Sequence, residues 1–324
     1  MRVARLLGTI FMLMGLILSK TGESAAAEEK FPTKPIQVVN PFPPGAADAI
    51  LRPFVEKLPE YLGQPMTFIY KPGAAGSVGA AYVANAKPDG YTLLGSSQGS
   101  ILIVPLTNKG LSYTYKSFVP IVSLTFAAIE LAVRSDARWK NLQELVDDAK
   151  KNPGKISYTS SGTYGILHIA AEAFFKEAGI KLNHIPSLGT AQGIAAVLGG
   201  HVDISCADSS APYPHVKAGT MRVLTSLTKN RLKLLPDVPT ASEIGYPVVI
   251  PINYGLLAPQ GTPKEIIQKI YLAAKKVLEN HEVEIRDRQD KLCTEIDFKN
   301  PEEYAALLRK ENDFYHNLLS RMIQ

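Results

Sequence analysis

Glycine- and proline-rich loops recur three times in the first hundred residues, each set against a short apolar run with strand character. Pro41 to Asp48 reads PFPPGAAD, Lys71 to Ser77 reads KPGAAGS, and Pro88 to Leu94 reads PDGYTLL. The apolar runs are 36–39, 66–70 and 91–94, and helical patterns fill about 49–61 and the stretch up to 86. This β-α-β-α-β order predicts a parallel sheet with right-handed crossovers. Open sheets of that kind bind ligands beyond the carboxyl ends of their strands, where these loops fall. A Gly-rich turn at a helix N-terminus offers free backbone N–H groups and the positive end of the helix dipole, so it can receive an anion without a basic side chain.

The chain opens with Arg2 and Arg5, continues through an uncharged apolar run over 6–18, and reaches Ser24-Ala25-Ala26-Ala27 before Glu28 and Glu29. Residues 1–27 read as a secretory signal peptide cleaved after Ala26 or Ala27, which places the mature chain in the periplasm. The apolar run is shorter than the roughly 20 residues of a membrane-spanning helix. Cleavage leaves about 300 of the 324 residues, a length that favours two domains over one core. Three basic residues and one acidic one leave with the leader, so the formal charge of +5 falls to +3. The basic residues are scattered, which argues against nucleic acid as a partner. Cys206 and Cys293 are the only cysteines, and they read as two buried thiols, a disulfide being the alternative. The six histidines are dispersed, with no HExxH or CxxC spacing, so no metal site is expected.

A second block of the same style begins near residue 130. Strands are expected at 131–133, 156–159, 184–185, 202–205 and 222–225, with helices after Asn141, after the loop Ser160 to Gly165, and near 191–198. A strand at 254–259 follows. Thr262-Pro263-Lys264-Glu265 combines an N-cap, a proline at N1 and a glutamate at N3, and Asn300-Pro301-Glu302-Glu303 repeats the pattern. The expected division is 28–130 with 250–324 as domain 1 and 131–249 as domain 2, joined by crossing strands.

Two motifs invite other chemistry. Gly73, Gly76 and Gly79 give GxxGxxG, but a dinucleotide fingerprint needs GxGxxG, and the later Asp89 belongs to a turn. Gly95-Ser96-Ser97-Gln98-Gly99 matches the GxSxG nucleophile elbow, which makes a serine hydrolase using Ser97, Asp208 and His215 the enzyme alternative. Asp48 reads either as a helix-terminal carboxylate that stabilises the dipole or as a ligand contact. Ser160, Ser161 and Thr163 mirror the first loop in the second domain, as ligand donors or as helix caps. His168 reads more readily as a packing histidine than as a contact, and Tyr164, Ser187, Thr190, Asp208, Ser209 and Asn253 are rim candidates.

The chain resembles the Bug family of periplasmic solute-binding proteins, the TctC-type component of tripartite tricarboxylate transporters. The resemblance is carried by Phe31-Pro32-Thr33-Lys34-Pro35-Ile36, the three opening loops, Ser160-Ser161-Gly162 with His168, and Leu198-Gly199-Gly200-His201-Val202-Asp203. Leu235-Pro236-Asp237-Val238-Pro239-Thr240 with Glu243 and Gly245, and Gly255-Leu256-Leu257-Ala258-Pro259, complete it. It implies a type II periplasmic-binding-protein fold, two α/β domains around a ligand cleft, with no catalytic residue, cofactor or metal. It implies a monomer that captures a small organic carboxylate and delivers it to the membrane components of the transporter; a sensor module is the alternative. The expected contacts are Pro44, Gly45, Ala46, Ala47 and Asp48; Ala75 and Gly76; Ser96, Ser97 and Gln98, as cleft donors; Ser160, Ser161, Thr163, Tyr164 and His168; and Ser187, Asp208 and Asn253. Ala46 stands where a second glycine is common, Tyr164 and Gly165 where Gly and Ser often stand, and Ser187-Leu188 where a Tyr-Lys pair often follows the proline. These departures point to a ligand other than the commonest one.

Overall fold

The computed structural model describes residues 31–323, so the leader assigned to 1–27 lies outside the described residues. Parallel strands β1 (Ile36–Asn40), β2 (Met66–Tyr70) and β3 (Thr92–Ser97) are linked by helices α1 (Ala46–Val55) and α2 (Ser77–Ala84). β1 lies between the other two, with Val38 paired to Phe68 on one side and Leu93 on the other. The alternation of apolar runs with Gly/Pro loops therefore produces the expected parallel core. Its crossovers leave the loop after β1 and the loop after β2 at the carboxyl edge.

The chain then runs through β4 (Phe118–Ala127), passes Ala128, and enters a second sheet as β5 (Ile129–Arg134). That sheet is completed by helix α3 (Leu142–Lys151), β6 (Ser157–Ser160), helix α4 (Ile166–Ala178), β7 (Asn183–Pro186), helix α5 (Thr190–Leu198), β8 (Ile204–Asp208) and β9 (Met221–Ser226). β10 (Ile252–Pro259) returns to the first sheet, followed by α6 (Lys264–Asp290), β11 (Thr294–Lys299) and α7 (Pro301–Ile323). The strand orders are β11-β4-β10-β3-β1-β2 and β7-β6-β8-β5-β9. The mixed α/β class with two sheets matches the expectation. β6 runs parallel to β7 and β8, so the loops after β6 and β7 lead into α4 and α5 at the carboxyl edge of their sheet, as in the first sheet.

Side-chain caps set two of the helix starts, those of α3 and α7. Asn141 Oδ1 accepts from the Glu144 N–H at 3.0 Å. Asn300 and Glu303 form a full capping box, with bonds of 2.9 and 3.0 Å. Thr262 differs from expectation: its hydroxyl donates to the Pro259 carbonyl at 2.8 Å, and α6 begins one residue later with Pro263 as its cap. Here the preceding turn takes the hydroxyl before the helix can. Cys206 and Cys293 are both free and buried, the Cys206 thiol donating to the Leu167 carbonyl at 3.1 Å. No helix among the described residues is long and apolar enough to cross a membrane.

Candidate functional site

Among the helices that begin without a side-chain cap, three have starts that meet at one cavity. Their N-caps are Gly45 for α1, Gly165 for α4 and Gly189 for α5. A glycine cap has no oxygen to offer, so the first N–H groups of each helix keep no intrahelical partner. Ala46 and Ala47, Ile166 and Leu167, and Thr190 and Ala191 line a cavity of about 330 Å³. The two halves of the chain approach closely around it. A Cβ on Gly45 would sit 3.5 Å from the Ala191 Cβ, and one on Gly189 would sit 3.4 Å from the Pro43 Cδ. No lysine, arginine or histidine lines the cavity among the described residues. Its apolar wall comes from Phe42, Pro43, Leu188 and Ile252, and its polar groups are Ser97, Ser161, Thr190, Gln192, Asp208 and Tyr254.

Asp208 is the only ionisable carboxyl in that wall among the described residues, and it is only 2 % exposed. The Ser210 hydroxyl donates to its Oδ1, while the Tyr254 hydroxyl stands 3.5 Å from Oδ2. Burial raises its pKa, against the lowering effect of the Ser210 hydroxyl and nearby N–H groups. On the neighbouring β5, Glu130 is fully buried with neither oxygen hydrogen-bonded. Desolvation, and secondarily the Asp208 charge, pushes Glu130 up to about 8.

The geometry is that of a receptor cleft, and a family profile decides the assignment: residues 50–308 match the "Tripartite tricarboxylate transporter family receptor". The chain belongs to this receptor family. A Cupriavidus necator relative, "UPF0065 protein in gbd 5'region", is 34% identical over 281 residues, covering 86% of this chain and 85% of the relative. The structure of periplasmic binding protein BugD superposes with a TM-score of 0.82 at 28% identity, covering 90% of this chain and 98% of BugD. MatC from Rhodopseudomonas palustris, solved with bound malate, gives 0.84 at 26% identity over 89% of this chain and 99% of MatC. The protein is thus a solute-binding receptor of a family whose members are periplasmic binding proteins.

Only part of the expected contact set reaches this receptor's cavity. Pro44, Gly45, Ala46, Ala47, Ser97, Ser161 and Asp208 line it. Ala75, Gly76, Thr163 and Ser187 line an adjoining cavity of about 370 Å³, which shares Ser161, Leu188 and Gln192 with the first. Asp48 lies in neither. Its Oδ1 accepts from the Gly45 N–H at 2.8 Å, and its Oδ2 accepts from Arg52 at 2.5 Å and Tyr70 at 2.8 Å. Burial raises the Asp48 pKa, but the Gly45 N–H, Arg52 and Tyr70 outweigh it and hold the group below its usual range. Asp48 therefore shapes the loop and leaves the N–H groups of α1 open.

Other candidates are likewise committed elsewhere. Ser96 is buried with its hydroxyl 2.9 Å from that of Ser100. Gln98 spans the return strand, donating to the Pro251 carbonyl at 2.8 Å and accepting from the Asn253 N–H at 2.9 Å. Asn253 donates to Asp297 at 2.5 Å, on a different groove. Ser160 pairs with His184 Nε2 at 2.8 Å. His168 accepts from the Tyr164 N–H at 3.2 Å and packs against His184 with ring centroids 4.2 Å apart. Tyr164 is 54% exposed and lines neither cavity. No histidine hydrogen-bonds the Ser97 hydroxyl among the described residues, and Gly79 serves packing, since a Cβ there would lie 2.8 Å from the Pro41 Cα. Sequence reasoning missed Phe42, Ile166, Leu167, Leu188, Gly189, Ala191, Gln192, Ile252 and Tyr254. Gly189 before a helix repeats the Gly45 signal and would have found the α5 start; nothing local marks Ile252 or Tyr254.

Proposed function

We propose that this receptor captures a small organic acid, with one carboxylate held by the uncapped N–H groups of α1 and α5 and by the free hydroxyls of Ser97 and Ser161. The observation that carries the reading is the meeting of three glycine-capped helix N-termini at one cavity with no basic side chain. Orphan N–H groups and the positive ends of three helix dipoles complement an anion, and a carboxylate needs only such donors. The described parts of 28–130 and 250–324 form one lobe and 131–249 the other. The lobes close on the solute by rotation about Ala128 and the return strand near Pro251. The exported, liganded receptor then delivers its acid to the membrane components of a tripartite tricarboxylate transporter. Thermal denaturation across a library of mono-, di- and aromatic carboxylates tests the reading. An acid present at about 100 times its Kd stabilises the fold by about 2.7 kcal/mol. If no acid raises the melting temperature while uncharged solutes do, the proposal fails.

A further inference from the structure

We infer that the solute carries, besides its carboxylate, a hydrogen-bond donor that Asp208 receives: a hydroxyl or an ammonium group. The inference rests on the carboxylate reading and names the kind of acid. Among the described residues, Asp208 is the only acidic one in the cavity wall, and no lysine, arginine or histidine lines the cavity beside it. Its Oδ1 is occupied by the Ser210 hydroxyl. Its Oδ2 has the Tyr254 hydroxyl at 3.5 Å, too long for a strong bond, and a carboxylate oxygen has two lone pairs, so this residue of the cavity wall retains acceptor capacity. Glu130 behind it supplies no proton donor to Oδ2, and neither of its own oxygens is bonded. A buried acceptor with spare capacity is costly until something donates to it.

The rest of the cavity narrows the choice. Its donors cluster at the helix starts Ala46-Ala47 and Thr190-Ala191, while Asp208 enters from the end of β8. The helix starts thus suit an anion, and the Asp208 oxygen suits a hydrogen-bond donor. An unsubstituted acid satisfies the helix starts only. A hydroxy or amino acid satisfies both, and that difference is the kind a buried polar partner converts into large discrimination.

The test is calorimetry with matched series: propanoate, lactate and alanine; butanoate, 3-hydroxybutanoate and 3-aminobutanoate; succinate, malate and aspartate. In at least one series the hydroxy or amino member should bind the wild-type receptor about ten- to a hundredfold more tightly than the unsubstituted acid. Asp208→Ala should reduce that preference to within about threefold. Asp208→Asn, which keeps an accepting oxygen and the shape, should preserve a preference for hydroxyl and abolish one for ammonium. Circular dichroism confirms that each variant is folded. A wild-type receptor that prefers the unsubstituted member of every series it binds, or a preference that survives Asp208→Ala, overturns the inference while leaving the carboxylate reading intact. Silence of all nine acids counts against the carboxylate reading itself.

Discussion

Replacing Ala46 with aspartate should separate ligand binding from folding, because the two respond in opposite directions. Ala46 is the first residue of α1, half-buried on the cavity wall, behind a glycine that cannot cap. A carboxylate at that position meets the positive end of the helix, which favours the folded receptor by about 0.3–1 kcal/mol. The ligand-free variant should therefore melt no lower than wild type. For the solute the same carboxylate is a competitor. Two like charges about 5 Å apart repel by about 3 kcal/mol at an effective dielectric constant near 20, close to a two-hundredfold loss of affinity. Ala46→Asn has almost the same shape without the charge and should lose far less. Calorimetry on the three proteins with one bound acid, alongside melting curves without it, gives the comparison. Equal affinities for the Asp and Asn variants would refute the claim that an anion sits at this helix start.

Further outcomes follow from the surrounding contacts. Asp48→Ala leaves the Gly45 N–H, the Tyr70 hydroxyl and Arg52 without their shared acceptor, and chemical denaturation should show a loss of about 2–4 kcal/mol. The Asp48 contribution is present above its ordinary pKa near 3.8 and is lost as pH falls through its lowered folded value, so the variant's melting temperature should vary less with pH there. Desolvation, and secondarily the His168 charge, holds His184 down to about 4, and burial also lowers His168. Between about pH 4 and 6.5 the folded state therefore binds fewer protons at these histidines than the unfolded chain does. Stability should thus be full above about pH 6.5 and fall as pH drops towards 4, by about 2 kcal/mol after allowing for partial exposure; His184→Gln should flatten that slope. Gly162 has φ +97°, and a Cβ there would lie 3.1 Å from the Ala75 Cα. Gly162→Ala should cost about 1 kcal/mol in melting experiments and weaken acid binding several-fold, because the 161–165 loop could not close against Ala75.

The loops were legible in the sequence because glycine and proline between apolar runs leave few alternatives, and the parallel core of β1, β2 and β3 followed from them. The roles of single polar residues were not. Asp48 read as a helix-terminal carboxylate or a ligand contact, but in the fold it pairs with Arg52 four residues on, and Tyr70 joins them through the pairing of β1 with β2. Gln98 and Asn253 lie 155 positions apart and meet only because β10 inserts between β3 and β4, a strand order that no local pattern encodes. Ser160 offers a hydroxyl to a ligand or a cap, and His184, on the adjacent strand, takes it first. Thr262 likewise matched a cap, but its hydroxyl closes a turn to Pro259. Side-chain oxygens go to whichever partner the tertiary fold brings nearest; glycines before helices, having no oxygen, kept their predicted character.

The most direct measurement is a titration of the isotopically labelled receptor with the acid that stabilises it most, followed by amide NMR. The N–H signals of Ala46, Ala47, Thr190 and Ala191 should move downfield together and saturate at one acid per chain, as uncapped donors gaining a carboxylate must. Saturable binding that shifts other amides and leaves those four unmoved would contradict the account.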